Sequence, residues 1–340
     1  MGRVLPGIVA ALLGLLLASA AAAQCVRPEM RTGERPDLGG PPVEVSVAFA
    51  VVDLMGVDDV NQQLDLDLRA ALAWRDPRLV GFEGCRFGVT EVWVPRLELF
   101  NSSNLRAQRT NRRDQVQIGE NGEVRYVQRF TGLVSSYHNL RNFPFDRHDF
   151  HINFGSLVED SSQLVLVADT EDTFISKRLN IEGWRVEGVS LVAAPEELPA
   201  FGGIYSVATL TLTAERDPSF YVFRIMFLLV FVVGMSWAIF WVPPSRFEFQ
   251  IGLGATSMLT VIAFNLAIGG SLPPLGYLTT LDRILIWSII LVFLSIVEAL
   301  ATGLLTLGGR EKLALRMDQA ARVIFPVLLL GGWAVVIWGT

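Results

Sequence analysis

Four stretches in the last third of the chain decide most of what it can become. Residues Tyr221–Trp241, Gln250–Gly269, Ile284–Leu307 and Arg322–Trp338 are long apolar runs. Each approaches the ~20 residues that an α-helix needs to cross a hydrocarbon core. Unpaired backbone N–H and C=O groups are not tolerated there, so a span built from such a run is helical. Pro243-Pro244 stops the first run and Pro273-Pro274 follows the second. Trp237, Trp241, Trp287, Trp333 and Trp338 suit the membrane interfaces. Arg246 follows the first span, and Arg310, Lys312 and Arg316 follow the third. Both loops fall on one side, which the positive-inside rule makes cytoplasmic.

The remainder is a different material. Residues 24–220 carry 29 acidic and 20 basic residues, a net of −9, whereas residues 221–340 carry 5 acidic and 7 basic. Residues 1–23 read as a secretory signal peptide, with Arg3, an apolar run from Val9 to Leu17 and small residues up to Ala23. An exported acidic domain on a membrane anchor follows, with residues 24–217 outside and 218–340 in the membrane. That places the first domain and the C-terminus in the periplasm and the spans in a bacterial inner membrane. The low content of basic residues excludes a phosphate-neutralising face, so no nucleic-acid partner is expected.

Alternation of apolar and polar residues marks strands in the polar part. Val43–Val51, Leu64–Leu72 and Val207–Thr213 are the clearest, and others are expected near Glu91–Leu99, Val124–Val134, His148–Phe154, Leu164–Val167 and Trp184–Val192. About ten short strands without an amphipathic helix predict an antiparallel β-sandwich. No nucleophile–base set, zinc motif or phosphate loop is recognisable, so neither an enzyme nor a cofactor or metal site is expected. His148 and His151 lie three apart on a strand and so face opposite ways, which argues against a shared metal. Cys25 and Cys85 either form one disulfide tying the N-terminal segment to the sandwich or remain a free pair.

The second run is too polar for a lipid-facing helix. Glu248, Gly252, Thr256, Leu259, Ala263 and Leu266 recur at helical spacing and share one face. Small residues in such a stripe serve either close helix packing or a pore. A pore needs several copies around an axis. Glu248 would then form a carboxylate ring at the cytoplasmic mouth, favouring cations, and Leu259, Ala263 and Leu266 a hydrophobic constriction.

Several motifs then fall into a known order: Trp74-Arg75-Asp76-Pro77, Trp93-Val94-Pro95, Phe143-Pro144-Phe145-Asp146, Arg216-Asp217-Pro218, Ser236–Trp241 and Leu272-Pro273-Pro274-Leu275-Gly276-Tyr277. With four spans behind them, the chain resembles the prokaryotic pentameric ligand-gated ion channels, bacterial homologues of the Cys-loop receptors. The resemblance covers most of residues 43–340. It implies a β-sandwich ligand-binding domain over a four-helix transmembrane bundle, assembled as a cyclic homopentamer in membrane lipid and passing monovalent cations. In animal members a disulfide closes the signature loop; Ser136 and Phe150 stand there here.

The same resemblance implies that Asp59, Asp146 and Arg216 couple the two domains, with Pro144, Pro273, Pro274 and Tyr277 at the contact. It places an agonist site around Glu98, Phe201 and Tyr205. An acidic residue of the amine-gated members aligns with Gly155, so an amine site is incomplete here. The histidines His138, His148 and His151 all lie in or beside the signature loop and make protons the competing stimulus. The rival to a channel is a non-conducting, membrane-anchored small-molecule sensor.

Overall fold

The computed structural model describes residues 25, 34–37, 39–107, 114–177, 179, 181–269 and 273–339. The signal peptide expected over 1–23 and the Leu272 of the proline motif lie outside them.

Twelve strands form two sheets among the described residues. In the larger sheet β1 (Val43–Asp58), β2 (Gln63–Arg75) and β7 (Glu123–Ser135) are the long central strands, paired antiparallel. The order is β10-β1-β2-β7-β6-β3, where β3 is Arg86–Gly88, β6 Gln115–Ile118 and β10 Phe174–Ile175; β5 (Ser102–Ala107) pairs with β7. The smaller sheet runs β11-β12-β8-β4, from Trp184–Leu198, Gly203–Arg216, Arg147–Gly155 and Glu98–Leu99. Strict alternation buries every second residue of β8, so Phe150, Ile152 and Phe154 point inward. Phe154 meets Phe49 of β1 at 4.3 Å and Phe130 of β7 at 5.2 Å between ring centroids, which ties the sheets together.

Two expectations are corrected here. The sandwich is not wholly antiparallel: β9 (Leu164–Ala168) and β10 both run parallel to β1 along one edge. The chain reaches that edge by crossing over from β8 in the other sheet, so its direction is not set by a hairpin. The strand expected over Glu91–Leu99 shrinks to Glu98–Leu99. Pro95 has no N–H to give a ladder, and Val92 and Trp93 are buried as a loop instead, Trp93 edge-on to Trp74 at 5.8 Å.

Among the described residues, four helices are long and apolar enough to cross a membrane. The first span, Tyr221–Trp241, opens with a wide π-type turn, continues as α1 (Phe227–Trp237) and ends as a 3-10 turn. The others are α2 (Phe247–Gly269), α3 (Thr280–Leu307) and α4 (Glu311–Trp338). Helices α3 and α4 begin before the apolar runs, because hydropathy marks the membrane and not the helix. A capping box of Thr279 and Asp282 starts α3. In α4 the stretch Glu311–Ala321 is rich in Leu, Ala, Lys, Arg and Met, all good helix formers. The tryptophans also depart from a purely interfacial role. Trp237, Trp287 and Trp333 donate their indole N–H to Arg322 O, Leu328 O and Ser288 Oγ on neighbouring helices, since an indole N–H in apolar surroundings needs an acceptor.

Candidate gating junction and pore helix

The turn between β1 and β2 carries Asp59, the signature loop carries Asp146, and the last residue of β12 is Arg216. Folding brings all three together below the sandwich. The Arg216 Nη1 and Nη2 donate to Asp59 Oδ2 and Oδ1, both at 2.8 Å. Its Nε and Nη2 donate to Asp146 Oδ1 and Oδ2 at 2.9 and 3.1 Å. One guanidinium thus bridges two carboxylates with a fork on each. The ring of Trp184 lies 4.2 Å from the guanidinium carbon and that of Phe143 4.8 Å. Such aromatic faces hold a desolvated cation well.

Each carboxylate has a histidine behind it. His138 Nε2 is 3.0 Å from Asp59 Oδ1, and His148 Nε2 is 2.5 Å from Asp146 Oδ2. All five side chains are nearly excluded from solvent. Burial works to raise the Asp59 and Asp146 pKa values. Hydrogen bonds from the histidines and from Arg216, with the guanidinium charge, outweigh it and hold both below the usual carboxylate range. Burial likewise opposes the charge of Arg216, and the two aspartates more than restore it, so the guanidinium stays protonated.

The signature loop also docks on the membrane domain. Leu140 N donates to Tyr277 Oη at 3.0 Å, and Arg141 stacks on that ring at 4.8 Å. The first-turn N–H groups of Thr280 and Leu281 in α3 donate to the carbonyls of Arg141 and Phe143 at 2.9 and 3.1 Å. Helix starts leave such donors without partners, and here another domain supplies the acceptors. Pro144 is buried within this contact, whereas Pro273 and Pro274 sit in the loop that ends at Tyr277. Spacing in the sequence gave no hint of Trp184, Arg141 or Thr280; only the folded contacts bring them in.

Helix α2 turns its stripe away from its own bundle. Glu248, Gly252, Thr256, Leu259, Ala263 and Leu266 are all exposed on the single chain, Leu259 at 69% and Leu266 at 74%. The opposite face, Gln250, Gly254, Ser257 and Val261, is buried against the bundle. Its glycines differ accordingly. A Cβ on Gly254 would fall 2.6 Å from Ile296 Cγ1 of α3, whereas one on Gly252 would meet nothing within 4 Å. Gly254 is therefore the close-packing glycine. Thr256 and Thr260 turn their hydroxyls back to Gly252 O and Thr256 O, at 2.9 and 2.8 Å.

The agonist residues are only partly brought together. Phe201 and Tyr205 meet edge-on at 6.4 Å in the β11–β12 hairpin, with Phe201 exposed and Tyr205 buried. Glu98 is exposed on β4, opposite Gly155 of β8. The Phe100 ring fills the space beside Gly155, where a Cβ would lie 2.4 Å from Phe100 Cζ. His151 faces outward on β8 and bonds Thr211 Oγ1 at 3.0 Å, away from buried His148. Cys25 and Cys85 form a disulfide, with Cα atoms 5.7 Å apart.

An extracellular β-sandwich whose loops grip the start of a membrane helix, above a four-helix span with an outward polar stripe, defines a membrane receptor-channel. Residues 26–198 match the family model described as the neurotransmitter-gated ion-channel ligand binding domain. The chain belongs to this family and is a ligand-gated ion channel, not an enzyme. It is 24% identical over 302 residues to a proton-gated ion channel of Gloeobacter violaceus, covering 87% of this chain and 82% of the relative. Identity is 24% to the gamma-aminobutyric acid receptor subunit beta-like of Drosophila melanogaster and 23% to the gamma-aminobutyric acid receptor subunit beta of Lymnaea stagnalis. Both of those matches cover 82% of this chain, but only 60% and 59% of the animal subunits.

Proposed function

We propose that five copies of this chain form a cation-selective channel in a bacterial inner membrane, with residues 24–217 and the C-terminus in the periplasm. The observation that carries this reading is the exposed stripe of α2. The Glu248 carboxylate is costly against lipid, while the helix buries its other face within its own bundle. A ring of identical α2 faces gives this group water. Glu248 then lines the cytoplasmic mouth and attracts cations, and Leu259, Ala263 and Leu266 form the constriction that opens and closes.

Arg216, bridging Asp59 and Asp146, carries movement of the sandwich to α3 and to the Pro273–Tyr277 loop. The stimulus acts on the outer domain. An agonist bound between neighbouring subunits would use Glu98, Phe201 and Tyr205. The packed ring of Phe100 beside Gly155 favours protons over an amine, in keeping with the proton-gated relative.

The test is the purified full chain in a planar bilayer under a salt gradient, with the outer pH lowered and small amines applied in turn. A reversal potential near the cation equilibrium, moved toward zero by Glu248→Ala, supports the reading. An anion-selective current refutes the selectivity. No current under any stimulus makes the chain a non-conducting sensor.

A further inference from the structure

His138 stands in an unusual place for a histidine. Its side chain is 3% exposed, and both ring nitrogens face oxygens. Nδ1 lies 2.9 Å from the backbone oxygen of Ser136, and Nε2 lies 3.0 Å from Asp59 Oδ1. A backbone carbonyl can only accept. Asp59 is ionised, because each of its oxygens receives an N–H group of the Arg216 cation. It too can only accept. Both hydrogen bonds therefore exist together only when His138 carries two ring protons. In the neutral ring one nitrogen lone pair would face an acceptor oxygen at bonding distance, and one contact would have to open.

The charges around the ring agree. Asp59 from the β1–β2 turn, Asp146 from the signature loop and Arg216 from β12 together carry one net negative charge in a buried space. His148 of β8 lies 4.7 Å away between ring centroids and needs only a single proton, on Nε2, to donate to Asp146. A charged His138 brings the cluster to neutrality, which removes the cost of an uncompensated buried charge.

We propose that His138 is a proton-binding site whose occupancy clamps the base of the signature loop to the β1–β2 turn. Bound, the proton lets one side chain hold Ser136 and Asp59 at once, alongside the Ser136 N to Gln62 O bond at 2.9 Å. Lost, the ring holds one partner only, either Ser136 or Asp59. Imidazole is the side chain suited to such a change, since it can carry one ring proton or two. The functional consequence rests on the junction being the coupling element; the protonation itself does not.

The chain has three histidines, which makes the test direct. Ring-nitrogen NMR of the 15N-histidine-labelled full chain in lipid nanodiscs, with signals assigned through His148→Gln and His151→Gln, reads each tautomer. The expected result is two N–H groups on His138 wherever the contacts to Ser136 and Asp59 are both held. A His138 with a single ring proton throughout overturns the proposal. In whole-cell currents, His138→Gln is expected to alter the pH profile of opening. A His138→Gln channel that reaches the surface and keeps the wild-type pH profile also overturns it. Arg216→Ala separates the two readings: normal opening without Arg216 refutes coupling through the junction, while the spectrum still decides the proton site.

Discussion

Replacing Arg216 by alanine tests the junction most directly. The substitution removes four hydrogen bonds of 2.8–3.1 Å and a cation packed between Trp184 and Phe143. It leaves Asp59 and Asp146, with 11% and 2% of their side chains exposed, without their shared counter-charge. Taking one partner from a buried ion pair costs about 3–5 kcal/mol. The part of this cost that falls on the transmitting conformation lowers the opening equilibrium, and about 1.4 kcal/mol is a factor of ten. If the whole cost falls there, opening drops by roughly two to four powers of ten. The expected phenotype is a channel that reaches the surface but opens poorly at any stimulus. Surface labelling with currents normalised to surface protein measures it. Arg216→Lys should recover only part of the loss, since an ammonium keeps the charge but not the two forks. Normal activation of Arg216→Ala at wild-type surface density would refute the coupling assignment.

Three further outcomes follow from the same geometry. Asp59 and Asp146 have depressed pKa values in the folded chain, so their contribution to stability is present above the ordinary carboxylate value of about 4 and is lost as pH falls through the lower folded values. Thermal unfolding of the purified chain should therefore weaken below about pH 4, and by less in the Asp59→Asn, Asp146→Asn double variant. Gly254→Leu drives side-chain atoms into Ile296 and should cost about 1–3 kcal/mol in thermal unfolding, whereas Gly252→Ala, facing open space, should be close to neutral. Cys85→Ser opens a disulfide that spans 60 residues and should cost about 2–5 kcal/mol, read as a lower melting temperature that matches wild type under reducing conditions.

Much of this architecture is legible in local pattern. Period-two alternation found β1, β2, β7, β8 and β12, and apolar run length found the four spans. Both signals come from a few neighbouring residues facing one uniform environment. The same signals failed where the environment was not uniform. The loop around Trp93 is apolar because it is buried, not because it is a strand, and the first turns of α4 are helical without being hydrophobic.

Sequence alone determined the segregation of an acidic sandwich from four spans, the helical stripe from Glu248 to Leu266, and the motif order that includes Asp146 and Arg216. It could not say which side of α2 faces outward, because small residues suit a packing face and a water-filled one equally. The tertiary structure decided that by burying Gly254 against Ile296 and leaving Gly252 open. Nor could sequence give His138 and His148 their partners. Arg216 and Asp59 are 157 residues apart, and Asp146 is 70 from Arg216. Contacts of that range arise only when the two sheets close over one core. That closure collects three charges and two imidazoles, each unremarkable in its own segment, into one buried cluster.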